Sequence, residues 1–76
     1  MNRPRRDALQ GIKDHLSAFR DELETIHNEE SEYRDNMPEN LQSSEKYEKA
    51  DLAVESLSSA MDNLDEAIES IEAACE

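Results

Sequence analysis

Apolar residues recur at Leu9, Ile12, Leu16, Phe19, Leu23 and Ile26, and the same steps of three and four continue through Glu30, Tyr33 and Met37. This spacing keeps one face of a helix apolar, as in a coiled-coil seam with a single polar insert at Glu30. A second run, Tyr47, Ala50, Val54, Leu57, Met61, Leu64, Ile68 and Ile71, alternates in the same way. Two unbroken registers predict two helices. They argue against disorder even in a chain of low hydropathy.

The stretch RDNMPENLQSSEK, residues 34–46, separates the two runs. Pro38 disfavours a helical conformation at Met37, and Asn36, Asn40, Ser43 and Ser44 are good capping residues. The pattern therefore predicts a first helix over about 5–35, a break at about 36–43 and a second helix over about 44–75. Ser43 or Ser44 would cap the second helix, and Pro38 to Leu41 suits a short helical turn of its own. Pro4 fits a first helical turn, where its missing N–H is harmless. Gly11 lies off the seam and weakens the first helix only slightly.

A short connection makes consecutive helices antiparallel neighbours, so seam residues should pair in layers whose numbers have a constant sum. Leu9 with Ile71, Ile12 with Ile68, Leu16 with Leu64 and Phe19 with Met61 each add to 80. The series runs on through Leu23 with Leu57, Ile26 with Val54, Glu30 with Ala50 and Tyr33 with Tyr47. It places the turn at residue 40, beside Pro38. The predicted fold is all-α, an antiparallel two-helix coiled-coil hairpin forming one domain over residues 1–76.

Charge supports the register. Lys13, Arg20, His27 and Arg34 recur at heptad spacing on the first helix, and Asp51, Ser58, Asp65 and Glu72 on the second. The antiparallel register sets Lys13 by Glu72, Arg20 by Asp65, His27 by Ser58 and Arg34 by Asp51. Exposed pairs of this kind select register and orientation more than they stabilise. The cluster Arg3, Arg5 and Arg6 falls near the C-terminus of the second helix, where positive charge is favourable.

The second helix also carries Ala53, Ala60, Ala67 and Ala74, one every seventh residue. Across from them the first helix offers Ala8, His15, Glu22 and Glu29, which is not an apolar match. The extra apolar width predicts a docking face for a second helix pair. A two-helix hairpin buries few side chains and is a poor monomer. Dimerisation into a four-helix bundle is therefore expected, with the alanine column and Leu52 as the self-association residues.

The net charge of −12 is unevenly spread. Residues 1–20 hold five bases against two acids, a net of +3, and residues 21–76 hold three against eighteen, a net of −15. Such a balance argues against direct nucleic-acid binding, where phosphates must be neutralised. It suits a protein partner with a basic groove, or competition with nucleic acid for one. Glu48, Glu55, Asp62, Glu69 and Glu76 form an outer acidic row at heptad spacing. The first four, with an aromatic pair at Tyr33 and Tyr47, are the candidate partner-binding residues. The tyrosines also suit the end of the seam beside the loop. No apolar run approaches the roughly 20 residues that span a bilayer, so no membrane role is expected. One cysteine, Cys75, makes no internal bridge, and without a cysteine framework or a secretory signal the chain reads as cytoplasmic.

Catalytic and metal chemistry find little support in the pattern. Glu24 and His27 match the Glu-x-x-His step of di-iron bundles, but such ligands must point inward and here Leu23 and Ile26 hold the inward positions. His15 and His27 lack an oxyanion hole or a cleft to act in with Ser58 or Ser59. One glycine excludes a phosphate-cradling loop. Cys75, beside the chain end, reads as a spare thiol. No catalytic residue, cofactor or metal is expected, and the chain is expected not to be an enzyme.

The stretch EYRDNMPENLQSSEKYEKAD, residues 32–51, resembles a family of short acidic helical proteins of Firmicute-type bacteria and their phages or mobile elements. The likeness rests on Asp35 to Gln42 followed by Ser44 and Tyr47. It extends loosely over the acidic second helix and leaves out the basic start. The resemblance implies a context that includes small proteins which bind and disable host defence machinery; it implies no activity. The favoured expectation is thus a non-enzymatic protein-binding module of phage or mobile-element type. A purely structural dimeric bundle or small subunit of an assembly, and an anti-defence inhibitor that mimics nucleic acid, are the alternatives.

Overall fold

The computed structural model describes all 76 residues. Helix α1 spans Arg3–Asp35 and helix α2 spans Glu45–Ala74, joined by a 3₁₀ turn at Glu39–Leu41. The two helices pack side by side as an antiparallel hairpin about 59 Å long and 15 × 13 Å across. The predicted bounds hold to within two residues.

Each boundary has a local cause. Asn2 caps α1 by accepting the Arg5 N–H at 3.0 Å, and Pro4 occupies the first turn. Asn36 closes α1, its N–H donating to the carbonyls of Arg34 and Glu32. Pro38 is extended and starts the 3₁₀ turn foreseen between Pro38 and Leu41. Ser44 is the N-cap of α2: its Oγ accepts the Tyr47 N–H at 3.3 Å and donates to the Leu41 carbonyl. Glu45 and Glu48 in the first turn of α2 favour the positive end of its dipole.

The expected charge register is present on one flank of the hairpin. Lys13 Nζ lies 3.5 Å from Glu72, Arg20 Nε 3.2 Å from Asp65 and Arg34 Nη1 2.9 Å from Asp51. His27 departs from the expectation. Its Nδ1 lies 3.2 Å from Asn28 Oδ1 and makes no hydrogen bond with Ser58. Arg3, Arg5 and Arg6 lie exposed at the end where α2 finishes.

The seam itself differs on α1. Three residues are buried, Ala50, Val54 and Met61, and all belong to α2. On α1 the half-buried rows are Leu9, Leu16, Leu23 and Glu30, together with Lys13, Arg20, His27 and Arg34. Ile12, Phe19, Ile26 and Tyr33, expected inside the seam, are instead 48%, 55%, 51% and 47% exposed. The whole first helix is rolled toward its basic row. The cause is competition for a single neighbour: the ion pairs bring the basic row against α2, and long basic side chains cover apolar surface with their stems. One helix cannot cover both flanks of another. Ala50, only 2% exposed, fits the layer where α1 presents Glu30.

Candidate interaction faces

At about 100° per residue, three rows run side by side along α1. The row Leu9, Leu16, Leu23, Glu30 lies between the ion-pairing row on one flank and the row Ile12, Phe19, Ile26, Tyr33 on the other. On α2 the same screw puts Ala53, Ala60, Ala67 and Ala74 about 160° from the ion-pairing row Asp51, Ser58, Asp65, Glu72. Both ion-pairing rows meet on one side of the hairpin. The exposed apolar row of α1 and the alanine row of α2 therefore share the opposite side.

This shared flank is larger than the alanine column alone. Ala53, Ala60 and Ala67 are half-buried and Ala74 is exposed. Beyond them α2 presents Lys49, Ser56, Asn63 and Ser70, so the charges on the α2 part of this flank are Lys49 and, one heptad before Ala53, Lys46. Leu52 is 63% exposed but sits about 100° from Ala53, on the back of α2 with Ser59 and Glu66. It lies outside the continuous flank. The α1 row was hidden from sequence reasoning because the three-and-four rhythm counts it as seam. The polar match opposite the alanines was the available signal: a column of small residues needs large apolar neighbours, and the nearest on that side are Ile12, Phe19 and Ile26.

The acidic row occupies the other side. Glu48, Glu55, Asp62, Glu69 and Glu76 are all exposed, next to the ion-pairing row of α2. Lys13, Arg20 and Arg34 line the length of this edge and each already has a carboxylate partner, while Arg3, Arg5 and Arg6 lie at its Glu76 end. Partial desolvation works against the Arg20 charge, but its hydrogen bond to Asp65 and the charges of Asp65 and Glu24 outweigh that, so its pKa rises. Hydrogen bonds to Asp35 and Asp51 raise that of Arg34. A raised arginine pKa contributes stability below the ordinary arginine range, lost only as pH climbs past it. From the arginine side, the row is insensitive to pH near neutrality.

Tyr33 and Tyr47 both lie near the loop, Tyr33 half-exposed and Tyr47 half-buried. Glu24 pairs with Arg20 on its own helix, so the Glu24 and His27 step is engaged in surface contacts. The hairpin encloses no cavity, and no group of three or more histidine, cysteine, aspartate or glutamate side chains converges as a metal site would require. Neither helix is long and apolar enough to cross a membrane. Compared with known proteins, the chain matches no family model, no curated protein and no solved structure.

Proposed function

We propose that the chain is a non-enzymatic protein-binding module whose acidic edge recognises a partner with a basic groove. The observation that carries this reading is the segregation of the two flanks. Exposed carboxylates recur every seventh residue along one edge of α2, and the other flank carries the alanine row and the exposed apolar row of α1. A carboxylate row whose neighbours Lys13, Arg20 and Arg34 are already paired projects a negative field along its length, which steers a basic partner onto it. The loop resemblance supports a phage or mobile-element setting for such a module, which in this reading acts inside the cell on a host protein.

Glu55→Gln, Asp62→Gln and Glu69→Gln combined provide the test, because glutamine removes the charge without lowering helix propensity. Immobilised wild-type chain should retain a host protein at low salt and release it as salt rises. The triple variant, with unchanged helicity, should retain at least tenfold less, since removing rim charges chiefly lowers the association rate. Equal retention by both chains, unaffected by salt, would overturn the acidic-edge reading. It would favour a purely structural role. Added DNA separates two kinds of partner: displacement marks the groove as a nucleic-acid site and the chain as a mimic of that ligand.

A further inference from the structure

We infer that a second copy of this chain covers the apolar flank, docked about a two-fold axis parallel to the hairpin, so that the exposed α1 row of each copy sits on the alanine row of the other.

Surface area argues for a partner of this size. A folded monomer of 8.7 kDa exposes about 4,700 Å² by the usual scaling with mass. The hairpin exposes 5587 Å², roughly 850 Å² more than that scaling gives. A specific interface removes about 800 Å² from each partner. One copy laid along the flank accounts for the excess.

Symmetry leaves two ways to stack such faces. An axis across the hairpin puts α1 on α1, large residues on large, with alanines facing alanines. An axis along the hairpin keeps each layer at its own height and puts α1 over the partner's α2. Ile12 then meets the partner's Ala67, Phe19 the partner's Ala60 and Ile26 the partner's Ala53, each pair adding to 79. Large side chains over small ones interdigitate, as a packed core requires.

The rims of the flank match in the same arrangement. Glu29 of α1 falls beside the partner's Lys49, one of two lysines, with Lys46, on the alanine side of α2. In the hairpin Lys49 meets only its own Glu45, at 3.2 Å, and its side chain is 75% exposed, so it is free to reach across. The axis across the hairpin would instead bring Glu22 toward the partner's Glu22. The acidic rows point away from the interface in the chosen arrangement, so they add only screened repulsion.

This inference does not rest on the acidic-edge reading, and salt separates the two. Repulsion between chains of net charge −12 falls as salt rises, so self-association should strengthen under the conditions that release the basic partner. Light scattering of the wild type at high micromolar concentration should give twice 8.7 kDa. In a Cys75→Ser background, Phe19→Cys chains mixed with Ala60→Cys chains should oxidise to one-to-one linked dimers. Neither chain alone should cross-link above background. Ile12→Cys with Ala67→Cys reads the same geometry should Phe19→Cys lose helicity. A wild type that remains at 8.7 kDa with full helicity overturns the proposal. So does preferential linkage of Phe19→Cys to itself.

Discussion

Gly11 sits in the body of α1 with ordinary helical φ, and a Cβ placed on it would meet nothing within 4 Å. It therefore returns neither a special backbone conformation nor a close approach within the hairpin. Its residual effect is on the unfolded chain, whose freedom it enlarges. Gly11→Ala should raise stability by about 1 kcal/mol in denaturant titration, with the slope unchanged. A destabilised variant would mean that the site is filled by something outside the hairpin. Arg20 and Arg34 work in the opposite sense, since each holds a carboxylate on α2 and another on α1 or at its end. They bind the helices through geometry that only one register satisfies.

That register is the property of the two elements together. Leu16 and Leu64 are both half-buried at the same height, and residue 57 lies two turns farther along α2, about 10 Å away. In a Cys75→Ser background, Leu16→Cys with Leu64→Cys should bridge within one chain under mild oxidation. Leu16→Cys with Leu57→Cys should not, because disulfides tolerate Cα separations of only about 4.4–6.8 Å. Comparable bridging by both pairs would show a slipping hairpin. The sequence discloses this level well: seam spacing, Pro38 and Ser44 mark the elements, and the heptad charge rows mark their pairing. It does not disclose the roll of α1 about its own axis. Ile12 and Lys13 are adjacent in sequence, and either row can flank Leu9 and Leu16. The choice depends on how many neighbours compete for the helix, which a single chain's pattern does not encode. The Ala53 to Ala67 row was legible as a candidate face for the complementary reason, having no large apolar residue across from it. Its α1 half was not, because Phe19 and Ile26 had already been spent on the seam.

At the scale of the whole molecule, the hairpin is too thin to be its own core. Its radius of gyration is 17.3 Å, against about 11 Å for a compact chain of this length. Three buried residues cannot offset the conformational entropy of ordering the chain, which runs at about 1–2 kcal/mol per residue for the backbone alone. The same thinness gives it two long, chemically distinct edges: one carboxylate row held open to solvent and one apolar row in need of cover. In the proposed dimer a second copy supplies that cover. Urea unfolding followed by helicity, repeated over a range of chain concentrations, tests it most directly. A core shared between two copies gains about 1.4 kcal/mol of apparent stability for each tenfold rise in concentration. The midpoint should therefore climb by about half a molar or more per decade. A midpoint that stays fixed across the range would show a hairpin that folds alone, and would contradict the shared core.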